Sequence, residues 1–455
     1  MSVLKRVGLV IFSALMGCVV FAPVSWSYLA LLSWLPLFYG VQGASERVAM
    51  RLGTLHGVIL FGVSLSWLSS VFVNSPWILA PLALILGLFT GMYCVLQVSA
   101  GRYLSGGWLA LVAAMCWGGV EYFRSELFLL KFSWVSPGLG LGPTLLTSAI
   151  GVYGMSVLIV LVNLWVVQRR WRYVGGGGLV LLLLSSVMMP EALEARDRVV
   201  KATAVQAEFA GRQRYLDLVG EEVVDFIVLP EYAFSYDVRE SKVIWDELKA
   251  FAEKRASVMV MGTRTERGDG AWFNTALAMD GDGEIGVHYK NHTVHFFDDG
   301  LAGKDAGVVT AGGYQFGMSI CFDNDYEDVV RRMTSAGAQF FLVPSLDASH
   351  WTLRQHWQHA ELFRHRAAEN GRWMLVAAGS GVTQLIDLHG NRVSAIEPMT
   401  EGAMSVELEA LGGLTLYTRF GWMFGWAMLV GTAVFVGFLV VSGAYRKLKS
   451  SRSGV

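Results

Sequence analysis

The chain has 455 residues, 54% of them hydrophobic and only 16% charged, with a mean hydropathy of +0.46. An ordinary soluble chain is about a quarter charged, so the composition excludes a wholly soluble protein, and a formal net charge of −1 argues against the basic surface that a nucleic-acid partner requires. There are four cysteines, three of them (Cys18, Cys94, Cys116) in apolar stretches, which is no basis for a disulfide framework.

Residues 1–192 read as a seven-span membrane domain, with apolar stretches near 7–22, 27–42, 53–73, 77–99, 106–122, 143–167 and 173–189. Several are shorter than the roughly 20 residues that cross a bilayer comfortably. The first follows Lys5 and Arg6 as a signal peptide would, but Ala22-Pro23 is a poor cleavage site and further spans follow, so it is read as retained. With the N-terminus in the cytoplasm, the inside loops carry Arg47, Arg51, Arg102, Arg169, Arg170 and Arg172, and the short outside turns near Val24 and Asn74 carry no Lys or Arg. One outside segment mixes Glu121, Arg124, Glu126 and Lys131 with Trp117, Tyr122, Phe128 and Trp134; it reads as an interfacial aromatic belt or a headgroup-contacting surface. A last span at 418–445 returns the chain to a basic tail at 446–455 that holds Arg446, Lys447, Lys449 and Arg452.

Residues 199–410 differ in kind: charge is frequent and β-rich runs alternate with helical ones. Strands are expected at 199–206, 223–229, 257–262, 274–279, 285–289, 314–321, 340–344 and 373–378, with a hairpin at 382–387/392–396; helices are expected at 243–255, 326–336 and 357–369. This mixture points to an α/β domain with a mixed sheet, inserted before the last membrane helix. Gly175–Gly178 lacks the Lys-Ser/Thr ending of a phosphate loop. His350, His356, His359 and His365 cluster without HExxH or paired-cysteine spacing, so no metal site is expected.

Three residues end β-like runs: Glu231 after Phe226–Pro230, Lys290 after Ile285–Tyr289, and Cys321 after Phe316–Ile320. If those strands are neighbours, a carboxylate, an ammonium and a thiol converge. The carboxylate can accept the thiol proton and later return it. The ammonium favours the thiolate and steadies an oxyanion, and the thiolate can hold an acyl group as a thioester. Tyr232, Phe296, Phe297 and Trp351 are candidates to line a substrate pocket, with packing as the competing role.

The runs Leu229-Pro230-Glu231, Tyr289-Lys290-Asn291-His292 and Ser319-Ile320-Cys321-Phe322-Asp323 resemble the three motifs of the nitrilase superfamily of carbon–nitrogen hydrolases, in the same order. Membrane spans on both sides of such a domain are similar to the apolipoprotein N-acyltransferase family, as are Gly151-Val152-Tyr153-Gly154-Met155-Ser156 and Gly413–Gly421. The resemblance implies a bundle of about eight transmembrane helices and a nitrilase-like αββα domain. It implies Glu231 as proton acceptor, Lys290 as oxyanion stabiliser and Cys321 as nucleophile. The family's second carboxylate would fall at Asp298 in His295-Phe296-Phe297-Asp298. It further implies a ping-pong transfer from a phospholipid, phosphatidylethanolamine, to a diacylglyceryl apolipoprotein. No metal or organic cofactor takes part, and the enzyme is expected to be a monomer of the bacterial inner membrane with its catalytic domain on the periplasmic side. A membrane-tethered amidase using water as acceptor, and a non-catalytic transporter or scaffold with a decayed nitrilase domain, remain open on the residues alone.

Overall fold

A computed structural model describes residues 1–170, 172, 173 and 195–452, with side chains described for 1–170, 172, 173 and 199–445. The expected seventh span and the glycine run at 175–178 lie outside the described residues. The chain divides into two compact units, Met1–Leu141 with Ile150–Val187 and Gly421–Val455, and Gly142–Ala149 with Met188–Phe420.

Among the described residues, three helical stretches are long and apolar enough to cross a membrane: Pro76–Ala100, Thr147–Val167 and Tyr417–Tyr445. The other expected spans are shorter or interrupted. Helix Val3–Cys18 has 16 residues and Gly106–Tyr122 has 17. The 27–42 stretch is a 3₁₀ turn, Ser27–Leu31, followed by the seven-residue helix Leu35–Val41. The 53–73 stretch is broken: helix Glu46–Ser64 stops, and a separate turn forms at Leu68–Val71.

Helices Glu46–Ser64 and Leu79–Ala100 approach closely because each carries a Gly-x-x-x-Gly pair, Gly53/Gly57 and Gly87/Gly91. A Cβ on Gly57 would come within 2.5 Å of Gly87 Cα, and one on Gly53 within 2.7 Å of the Thr90 carbonyl oxygen. Small residues at such a crossing let backbones meet where no hydrophobic drive between helices exists.

The second unit contains two six-stranded sheets. The first has the order β12-β1-β2-β3-β4-β5, where β1 is Ala195–Gln206, β2 Phe226–Val228, β3 Val258–Glu266, β4 Trp272–Met279, β5 Glu284–Tyr289 and β12 Gly402–Leu411. The second has the order β11-β10-β9-β8-β7-β6, where β6 is Val309–Ala311, β7 Tyr314–Gly317, β8 Phe340–Ser345, β9 Met374–Ala378, β10 Gln384–Ile386 and β11 Arg392–Ala395. Strands β1, β2 and β3 are parallel, as are β7, β8 and β9. The mixed sheet read from the residues is divided into two sheets stacked face to face, as the resemblance to an αββα domain implies.

Alternating side chains fill the space between them, with Ala202, Ala204, Val228, Val260 and Ala276 meeting Phe316, Phe340, Leu342 and Leu375. The opposite faces are covered by helices. Arg212–Val219 and Lys242–Arg255 pack Tyr215, Leu248 and Ala252 on Ile227, Met259 and Leu277. Asp328–Ser335 and Leu353–Asn370 pack Val329, Met333, Phe363 and Ala367 on Phe341, Val343 and Val376. The result is a four-layer αββα domain. Thr352 caps the longest of its helices and Gly371 ends it in the left-handed conformation.

Replacing Gly57 by Leu is expected to lower the thermal midpoint in detergent, with about 1–3 kcal/mol of overpacking at the helix crossing. The same change at Gly8, which has open space around it, is expected to leave the midpoint in place.

Candidate active site

The three sequence-predicted residues meet at one end of the two sheets. Glu231 lies beyond the carboxyl end of β2, Lys290 directly follows β5, and Cys321 lies four residues beyond the end of β7. All three are buried. Gly262 on β3 makes the close approach possible, because a Cβ there would collide with the Glu231 backbone.

Lys290 Nζ donates to Glu231 Oε1 at 2.8 Å and pairs with Asp299 Oδ2 at 2.8 Å. The Asn274 side-chain amide, on β4, donates to both carboxylates, at 2.7 Å to Glu231 and 2.8 Å to Asp299. Asp299 also accepts from the Tyr232 hydroxyl at 2.5 Å and from the Val294 backbone N–H at 2.8 Å. The expected second carboxylate is therefore corrected. Asp298 is exposed, and its neighbour Asp299 is buried against the lysine. Phe296 adopts φ +69°, so the chain reverses there and strand-like phase counting from Lys290 fails.

Cys321 does not end a strand. The ladder of β7 stops at Gly317, and Cys321 opens a 3₁₀ turn, Cys321–Asp325, with φ +41°. A non-glycine residue in that region costs about 1–3 kcal/mol, so the turn must be held by its surroundings. Asp323 is fully buried and does most of this. Its Oδ1 accepts the N–H groups of Asn291 and His292 at 2.9 Å, and its Oδ2 accepts the Ile320 N–H at 3.0 Å and lies 2.9 Å from His288 Nε2. The turn of Cys321 is thereby bolted to the strand end that carries Lys290. Asn324 Nδ2 donates to the Cys321 carbonyl at 3.0 Å.

A second chain of charges lies behind the nucleophile. His359 Nδ1 is 2.9 Å from Asp347 Oδ1, and its Nε2 is 3.3 Å from Asp325 Oδ1. Gln355 donates to the same Asp347 oxygen at 2.7 Å. Burial disfavours the imidazolium, but Asp347 and Asp325 push the His359 pKa up to about 10. The loop holding Asp347 also brings the Leu346 carbonyl to 3.7 Å from Cys321 Sγ.

The electrostatics divide the roles. Burial pushes the Glu231 carboxyl up from its ordinary value, with Lys290 pulling it down and Asp299 adding to the rise. Burial also opposes the charge on Asp299, but Lys290, the Tyr232 hydroxyl and the Val294 N–H hold it below the usual range. Lys290 loses charge stability to burial and regains more from Asp299 and Glu231, so it stays protonated. Burial, then the charge of Glu231, push the Cys321 thiol well above its ordinary value against the pull of Lys290. The resting nucleophile is a thiol beside a carboxylate whose proton affinity is raised, an arrangement suited to proton transfer as a carbonyl arrives.

The remaining predicted residues divide. Tyr232 is committed to Asp299. Phe296 and Phe297 are 71% and 42% exposed, and the Phe297 ring lies tilted against Trp351 at 6.0 Å between ring centroids. Sequence reasoning gave Asn274 no role beyond opening a strand, and it left Asp323, Asp325 and Asp347 without function. The available signals were the place of Asp323 in the Ser319–Asp323 motif, the Pro344-Ser345-Leu346-Asp347 run and the density of acidic residues after Cys321.

A buried Glu–Lys–Cys set at the strand ends of an αββα domain defines a protein of the carbon–nitrogen hydrolase class, and residues 190–413 match the family described as carbon–nitrogen hydrolase. Residues 13–165 match the apolipoprotein N-acyltransferase N-terminal domain. The chain is 26% identical over 450 residues to an apolipoprotein N-acyltransferase of Nitrosomonas europaea, covering 87% of this chain and 89% of that protein. It is 28% identical over 468 residues to one of Methylococcus capsulatus, covering 88% and 90%. The chain belongs to the apolipoprotein N-acyltransferase family.

Asp299→Asn is expected to slow acylation of Cys321 by about a hundredfold, the scale of losing a preorganised charge at the reacting centre, whereas Asp298→Asn leaves it near wild type; single-turnover mass spectrometry checks both. Because the Glu231 pKa is raised, its base form is lost as pH falls through a value above the ordinary 4.5. The acid limb of the acylation rate is therefore expected above that pH.

Proposed function

We propose that this protein transfers a fatty acyl chain from a phospholipid, phosphatidylethanolamine, to the α-amine of the diacylglyceryl-cysteine that begins a bacterial apolipoprotein. The observation that supports this most directly is the buried Glu231–Lys290–Asp299 network beside Cys321, in a chain that also carries membrane-length apolar helices. A hydrolase of soluble amides needs one anchor, whereas lipid substrates account for a bundle. Exposed Phe296 and Phe297, on the loop that supplies Asp299, suit acyl chains or lipid.

In the first half-reaction Glu231 takes the Cys321 proton and the thiolate attacks the ester carbonyl. The oxyanion forms beside the Lys290 ammonium. Its collapse breaks the ester C–O bond, and Glu231 returns the proton to the departing lysophospholipid alkoxide. In the second, the amine attacks the thioester and Glu231 accepts its proton. The C–S bond breaks, and the thiol is restored. Asp299 keeps Lys290 charged and in place throughout. The scheme requires no metal or organic cofactor.

The eight-span topology belongs to this reading. The N-terminus and the basic tail lie in the cytoplasm, the second unit lies on the periplasmic side of the inner membrane, and the protein acts as a monomer. The positive-inside distribution of Lys and Arg supports it.

Incubating the purified protein with phosphatidylethanolamine is expected to give a hydroxylamine-labile fatty-acyl adduct by intact mass. Cys321→Ala is expected to give none, and a diacylglyceryl-cysteine peptide should discharge the wild-type adduct. Folded wild-type protein that forms no adduct but releases ammonia from amides would establish the amidase reading instead.

A further inference from the structure

The row of side chains that carries Asn274 continues outward along the sheet. Arg264 on β3 is the direct partner of Asn274 on β4, and residues directly opposite in an antiparallel pair project from one face. Arg264 therefore leaves the sheet on the face where Asn274 holds Glu231 and Asp299. Its guanidinium carbon lies 4.0 Å from the Trp272 ring centroid and 5.9 Å from that of Tyr232, whose hydroxyl donates to Asp299. One aromatic ring thus separates this cation from the carboxylate that holds Lys290.

The charge of Arg264 is unspent. Arg239, nearby in the same unit, is paired with Asp237 and Glu284. Arg264 enters no ion pair among the described residues, and its Nε is buried without a hydrogen-bond partner. A guanidinium laid on an aromatic face, with its N–H edge unpaired, is preorganised for a bidentate oxyanion such as a phosphodiester. The catalytic centre cannot serve that purpose. Two carboxylates against one ammonium leave it with a net negative charge that repels phosphate, and its lysine is already held by both carboxylates. A donor whose phosphate and acyl ester hang from the same three-carbon glycerol needs a cation just outside that centre, which is where Arg264 stands.

We propose that Arg264, held against Trp272, is the anion site that seats the phosphodiester of the acyl donor while the ester carbonyl lies at Cys321. This rests on the phospholipid-donor reading above. The test follows thioester formation by intact mass in mixed micelles, using wild type, R264Q and R264K with phosphatidylethanolamine. In parallel, peptide-resolved mass spectrometry follows alkylation of Cys321 by uncharged iodoacetamide.

The expected result is an apparent KM for phosphatidylethanolamine raised about tenfold in R264Q, the scale of one charged hydrogen bond. The maximum rate changes little, R264K recovers most of the loss, and Cys321 alkylates at the same rate in all three. An unchanged KM in R264Q would overturn the proposal. So would an equal loss in the Gln and Lys variants accompanied by altered alkylation, which would mark Arg264 as packing. Competition by inorganic phosphate as strong as that by glycerophosphoethanolamine would overturn the lipid assignment. If phosphatidylethanolamine fails to acylate even the wild type, the donor reading has failed, and this inference with it.

Discussion

Everything at the site depends on a fully buried ammonium shared by two carboxylates. Lys290 has lost its water and receives Glu231 and Asp299 instead, each at 2.8 Å, with Asn274 bracing both acids. Breaking such a buried pair by removing one partner typically costs about 3–5 kcal/mol, because the other charge is left uncompensated. Here the stake is more than stability. Burial, the charge of Glu231 and the opposing pull of Lys290 also set the protonation of Cys321, so electrostatic balance and reactivity are linked.

The two-sheet architecture supplies the register for this balance. Glu231, Lys290 and the Cys321 turn arise from three strands in two different sheets, and each is fixed by a contact outside its own strand. Glu231 is admitted by Gly262 and its N–H reaches the Ser345 carbonyl on the other sheet. The Lys290 strand end is tied to the nucleophile turn through Asp323. Behind that turn, the imidazolium of His359 joins Asp325 to Asp347 and partly neutralises a carboxylate that otherwise raises the thiol's proton affinity. The acidic residues around Cys321 thus serve to position the turn.

Glu231, Lys290 and Cys321 could be found in the sequence because each closes an apolar run with a residue of the wrong polarity for a core. Their supports were less visible. Asp299 lies three residues beyond Phe296, whose φ is positive, and no local periodicity says which of two adjacent aspartates turns inward. Strand β12 went unread: its outward side chains Ser405, Glu407 and Glu409 are exposed while Leu408 and Ala410 are buried, and its place in the sheet depends on pairing with β1, about two hundred residues away. Helix Arg212–Val219 is short and charged, with only Tyr215 and Val219 buried. In the membrane unit, hydropathy located the apolar stretches but not their breaks. The interruption after Ser64 falls where Ser64, Ser66, Ser69 and Ser70 enter the apolar run, too small a change to lower the hydropathy of the stretch.

The loop after Lys290 carries two kinds of chemistry at opposite ends. Its tip exposes Phe296 and Phe297, and its base holds Asp299 through the Val294 N–H, the Tyr232 hydroxyl and Lys290. The two ends are three residues apart, too close to move independently. A displacement of the greasy tip is therefore also a displacement of one of the lysine's two counter-charges. The loop thus joins an exposed aromatic surface to the charge balance around Lys290.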